Sequence, residues 1–171
     1  FRFTPAQIMF MKAAMERLKD NPEGGYVGLA PTGGGKDLIL FTIVGYYLEK
    51  DASIRVVIRT NNPTERRKLQ EMAEGIFGDR FSVRELSEQH TTDANALAEI
   101  LGKPGIVVST HSEFQTAITV NNKSEGKIFG KPRQVINEVD YSMFGPTTQI
   151  SEGQRQVKQG ERALLEYIAG R

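Results

Sequence analysis

Ala30-Pro31-Thr32-Gly33-Gly34-Gly35-Lys36-Asp37 is the stretch on which the fold turns. It follows a short apolar run with strand character over 26–29 and precedes an apolar run over 38–48 that suits a helix. Glycines at 33, 34 and 35 let backbone N–H groups converge on phosphate oxygens with no side chain in the way. A helix starting near Lys36 adds its positive dipole end, and Lys36 itself supplies a point charge for β- and γ-phosphates. The bland alternative is a glycine-rich turn that happens to contain a lysine. Strand, loop and helix in that order favour the phosphate loop, so Thr32, Gly33, Gly34, Gly35, Lys36 and Asp37 are expected to bind nucleotide. The usual pattern continues with Ser or Thr, whose hydroxyl binds Mg²⁺; here that place is Asp37.

Outward from the loop the pattern alternates. Upstream, Ile8, Met11, Ala14, Met15 and Leu18 recur at helical spacing over 5–18, with Thr4 as N-cap. Residues 21–25, Asn-Pro-Glu-Gly-Gly, end that helix. Downstream, the β-branched run over 54–58 predicts a strand buried on both faces. A charged helix follows over 63–74, with Pro63 suited to its first turn. Further strands are expected over 81–86, 106–109 and 134–139, and helices over 94–101, 112–118 and 161–169. This alternation predicts an α/β domain, a parallel sheet flanked by helices on both faces, with ligands at the carboxyl ends of the strands. Segments 121–131 and 145–160 are polar and short of apolar anchors, and both read as loops, the second as a linker. The nucleotide-binding domain is expected over 1–153, with 154–171 a closing helix or the start of a following domain.

At 171 residues the chain is long enough for one domain with a proper core. A net charge of +1 gives no global field toward nucleic acid or an anionic membrane, although a local basic patch is compatible with it. There are no cysteines, which excludes disulfides and thiolate metal sites. Two histidines, His90 and His111, are too few for a typical zinc site. No secretory signal is visible, and the apolar run over 38–48 is too short to span a bilayer. The first residue, Phe1, suggests a piece of a longer chain.

Val135-Ile136-Asn137-Glu138-Val139-Asp140 reads as a second nucleotide motif at the end of a buried strand. In such motifs the first acidic residue holds Mg²⁺ and the following Glu orients the attacking water. Asn137 occupies the first place and Glu138 keeps the second, so Glu138 is the candidate catalytic residue. Asp37 and Asn137 together are the candidate metal residues. The bland alternative is a strand running into a polar turn. The two departures offset each other in charge, since an acid stands at 37 and an amide at 137. An uncompensated carboxylate about 4 Å from a phosphate oxygen costs about 4 kcal/mol at an effective dielectric near 20. With Mg²⁺ between them the sign reverses, because a carboxylate is a hard ligand for that ion. The exchange either preserves metal binding or marks a site that binds nucleotide and hydrolyses it poorly.

Over roughly residues 2–153 the chain resembles the first motor half of superfamily 2 helicase-like ATPases, specifically the nucleotide-binding domain of SecA-type preprotein translocase motors. Gln7 lies where that family's adenine-recognising glutamine does. Ala30-Pro31-Thr32-Gly33 opens the loop as helicase-like motors often do. Thr60-Asn61-Asn62 with Glu65-Arg66 is similar to the family's Val-Asn-Asp before an Arg-bearing helix, and Thr110-His111-Ser112-Glu113-Phe114 to its Thr-Asn-Asn-Glu-Phe. Asn137-Glu138-Val139-Asp140 differs by one residue from its Asp-Glu-Val-Asp, and Ile150-Ser151-Glu152-Gly153 resembles its Ile-Ile-Ser-Gly. The resemblance implies a RecA-like P-loop NTPase fold, ATP and Mg²⁺ as ligands, and ATP hydrolysis with altered metal-binding residues. It also implies a polypeptide substrate or a second motor domain as partner. The protein is expected to be cytoplasmic, or peripheral to a membrane through partners. Departures are equally plain: Phe144-Gly145-Pro146-Thr147-Thr148 replaces the family's Asp-Glu-Ala-Arg-Thr-Pro.

Two other readings stand beside this one. A helicase-type domain acting on nucleic acid needs a basic surface over the strand ends; Arg59, Arg66, Arg67 and Lys68 are its candidates, and a solvated helix face is the alternative for them. A silent interaction module would keep the fold and lose the chemistry, with Asp37 and Asn137 as its support. Gln7 and the pair Glu113-Phe114 likewise have plain structural alternatives, as a polar helix residue and as the start and anchor of a helix.

Overall fold

Val56, Val57 and Ile58 stand consecutively with no polar residue to turn toward water, a pattern satisfied only when both faces of a strand are covered. The computed structural model describes residues 3–20, 36–130 and the strand at 134–137. In it this run lies in β1 (Arg55–Thr60), which is buried from Val56 onward. Beside it runs β3 (Gly105–Thr110), buried throughout. β2 (Val83–Glu85) pairs with β3, and β4 (Gln134–Asn137) pairs with β1. The sheet order is β2-β3-β1-β4 and every pairing is parallel. The expected strand over 26–29, loop residues 30–35, Glu138 and the segments over 145–160 and 161–169 lie outside the described residues.

Five α-helices and a 3-10 turn (Glu88–His90) complete the described elements: α1 (Pro5–Asp20), α2 (Lys36–Lys50), α3 (Pro63–Phe77), α4 (Ala94–Leu101) and α5 (His111–Lys123). The period-two alternation of the strands sorts them into two layers. Val56, Ile58, Ile106 and Val108 pack against Phe41, Val44 and Leu48 of α2 and Leu69, Ala73 and Phe77 of α3. Val57 and Val107 point the other way, against Leu97 and Leu101 of α4, Phe114 and Ala117 of α5, and Phe129. The chain is therefore an α/β domain with helices on both faces of a parallel sheet. α1 sits outside this sandwich, packed on α2.

The connection from α2 to β1 is only residues 51–54, and Ile54 packs in the same cluster as α2. α2 thus ends at the amino end of β1 and runs back over the sheet, which brings its first turn, Lys36 and Asp37, to the carboxyl end.

The polar stretch over 121–131 departs from its expected reading as a plain loop. α5 continues to Lys123, and Asn121 is 3% exposed. Its amide organises the turn that follows: Nδ2 donates to the Gly130 carbonyl at 2.9 Å, and Oδ1 accepts from the Ile128 and Phe129 N–H groups, each at 3.2 Å. That turn folds Phe129 into the core. At the amino end of the sheet, Arg55 donates to the Leu101 and Phe129 carbonyls. Arg84 donates to the carbonyls of Ile100, Lys103 and Pro104. The two guanidiniums thus satisfy carbonyls that the end of α4 leaves without helical partners. Burial pulls the Arg84 pKa below its usual value, with Glu99 acting in the opposite sense.

Gly105 opens β3 at φ +119°, and a Cβ there would stand 2.5 Å from the Ser82 carbonyl oxygen. Gly105→Ala should therefore destabilise the domain by at least the about 1–3 kcal/mol of backbone strain, with the clash added. Gly75, inside α3 with open space around it, should respond with the opposite sign. Gly75→Ala should stabilise by about 0.5–1 kcal/mol through helix propensity. Urea unfolding midpoints of the two variants against the parent test both signs.

Candidate functional site

At the carboxyl end of the sheet the strands turn into helices, and the local chemistry of each turn is written in short polar side chains. Asn62 caps α3, its side chain accepting the Glu65 N–H at 2.9 Å, with Pro63 at the helix start. Thr110 caps α5 in a capping box. Its hydroxyl accepts the Glu113 N–H at 3.2 Å, and the Glu113 Oε2 accepts the Thr110 N–H at 3.0 Å. Thr60 and Thr110 are partners in register, so the two turns start side by side and leave toward opposite faces. Such a divergence is where crevices open in parallel sheets.

Here the crevice is filled by an ion-pair cluster. Arg66, on the first turns of α3 and 7% exposed, donates from Nε to Glu85 Oε1 at 2.8 Å and from an Nη to Glu113 Oε1. Glu85 ends β2, and Glu113 is the residue that closes the capping box of α5. One guanidinium therefore ties the carboxyl ends of β2 and β3 to the start of α3. Burial alone would lower the Arg66 pKa, but the hydrogen bond and charge of Glu113, joined by Glu85, outweigh it and raise it. Arg67 stands nearer solvent, 3.8 Å from Glu85 Oε2. Beside the cluster lies an open groove of about 590 Å³, bordered by Pro63, Arg67, Glu85, Ser87, Glu88 and His90.

No protein-family model matches this chain, and no curated protein matches it significantly. The site therefore rests on its own residues.

Of the nucleotide candidates, Lys36, Asp37 and Asn137 fall at the same end of the sheet. Lys36 is the first residue of α2, and Asp37 follows it in the first turn, half-buried. Asn137 is the last residue of β4, in register with Arg59 of β1. Thr32, Gly33, Gly34, Gly35 and Glu138 lie outside the described residues. Gln7 serves the start of α1. Its Oε1 accepts the Thr4 N–H at 2.9 Å while the Thr4 hydroxyl accepts the Gln7 N–H at 3.2 Å, which together make a capping box.

Two of the four candidate basic residues are neither a nucleic-acid surface nor a solvated helix face. Arg59 is 3% exposed and lies over the Phe114 ring, its Cζ 5.2 Å from the centroid. Arg66 is committed to Glu85 and Glu113. Arg67 and Lys68 alone remain exposed among the four. The cluster has no local signature as a whole, because Glu85 and Glu113 lie far from Arg66 in sequence. The pattern Thr110-x-x-Glu113 is the one available signal, as is Thr4-x-x-Gln7 at the other cap.

Replacing Arg66 with Met keeps the packing and leaves two carboxylates without their cation. The loss should be about 3–5 kcal/mol near neutral pH. Arg67→Met, at an exposed position, should shift stability by less than about 0.5 kcal/mol. Urea unfolding of both variants at neutral pH reads the difference.

Proposed function

We propose that this chain is an ATP-binding P-loop domain with a RecA-like fold, the nucleotide-binding half of a motor of the SecA-type and helicase-like kind. The observation that carries the reading is the start of α2: Lys36 opens a 15-residue helix directly after Gly33-Gly34-Gly35, at the carboxyl end of a parallel sheet. The first turn of such a helix holds N–H groups with no helical acceptor, and its dipole favours an anion. A triphosphate fits that donor set.

On this reading the backbone N–H groups from Thr32 to Lys36 bind the phosphates, and the Lys36 ammonium neutralises charge at the β- and γ-positions. Asp37 offers one hard oxygen ligand to Mg²⁺. The described residues hold no group of three or more His, Asp or Glu arranged for a metal. Mg²⁺ commonly takes its remaining ligands from phosphate and water. When bound, Mg²⁺ supplies charge neutralisation at the phosphates. Glu138, one residue past the end of β4, orients the attacking water and takes its proton.

Lys36→Ala should lose a charge-assisted contact of about 1.5–3 kcal/mol, which is roughly a tenfold to hundredfold weaker ATP affinity. Calorimetric titration with a non-hydrolysable ATP analogue measures it, and unchanged affinity removes the phosphate-loop assignment. Glu138→Gln should leave binding nearly intact and abolish turnover, since it keeps the shape and removes the carboxylate. Full-rate hydrolysis in that variant would place the base elsewhere.

Asp37 and Asn137 should behave as a compensating pair. Asp37→Thr alone should weaken Mg²⁺-dependent binding, leaving no carboxylate beside the phosphates. Asn137→Asp alone should also weaken it by crowding two carboxylates there. The double variant should match or exceed the parent, whereas additive losses would refute the pairing.

A further inference from the structure

We draw no further inference here: the strongest candidate, the open groove between the start of α3 and the β2–α4 connection, takes its buried charges from the Arg66, Glu85 and Glu113 cluster already described, where they pair with one another, and nothing in the structure shows what covers it.

Discussion

Covering β1 and β3 on both faces leaves those strands no wet side, so every polar demand of the sheet has to be met where the strands end. At the amino end, Arg55 and Arg84 reach across to the last carbonyls of α4 and the turn after it. At the carboxyl end, Asn62 and Thr110 cap the departing helices, and Arg66 fills the crevice between them with two carboxylates. A central strand that is apolar through its middle therefore calls for polar chemistry concentrated at two rims. The rim that faces α2's first turn is also the one at which a parallel sheet offers a ligand a place.

The proposed nucleotide site and the Arg66 cluster share that rim and differ in character. The cluster is internally satisfied: Glu113 answers both a guanidinium and the Thr110 N–H, and Glu85 meets Arg66 and, more distantly, Arg67. A group so committed is poorly placed to bind a phosphate backbone, which weakens the nucleic-acid reading of the same arginines. The start of α2 differs in kind, since the first turn of a helix carries N–H groups that its own carbonyls do not reach. The ATP-binding proposal rests on that difference.

The fold class was legible because periodicity is local. The runs at 54–58 and 106–109 announced strands covered on both faces, and Ala94–Leu101 emerged as expected from its spacing. What escaped was everything that depends on distance in sequence. Nothing in the neighbourhood of Arg66 signals a glutamate on β2 and another on α5, and nothing near Arg59 signals the ring of Phe114. Asn121 misled for a related reason. Polarity suggested a loop, but a side-chain amide that meets three backbone groups can be buried at little cost, and it turned a polar stretch into a folded one. The capping boxes at Thr4 and Thr110 fall between these cases, since their residues are close in sequence and their pattern has a known physical meaning.

The strand order carries a consequence for how the molecule is made. Both partners of β1 come later in the chain, β3 on one side and β4 on the other. A ribosome delivers Val56, Val57 and Ile58 with neither edge paired, and they stay so until Gly105 and then Gln134 have been synthesised. During that interval an apolar strand has two open edges, a state prone to pairing with the wrong strand. α2 and α3, made on either side of β1, can shelter one face early, while α4 and α5 arrive only with the later strands. Nascent chains of this protein are thus most vulnerable to aggregation after β1 has emerged and before β3 has, a window set by topology rather than by final stability.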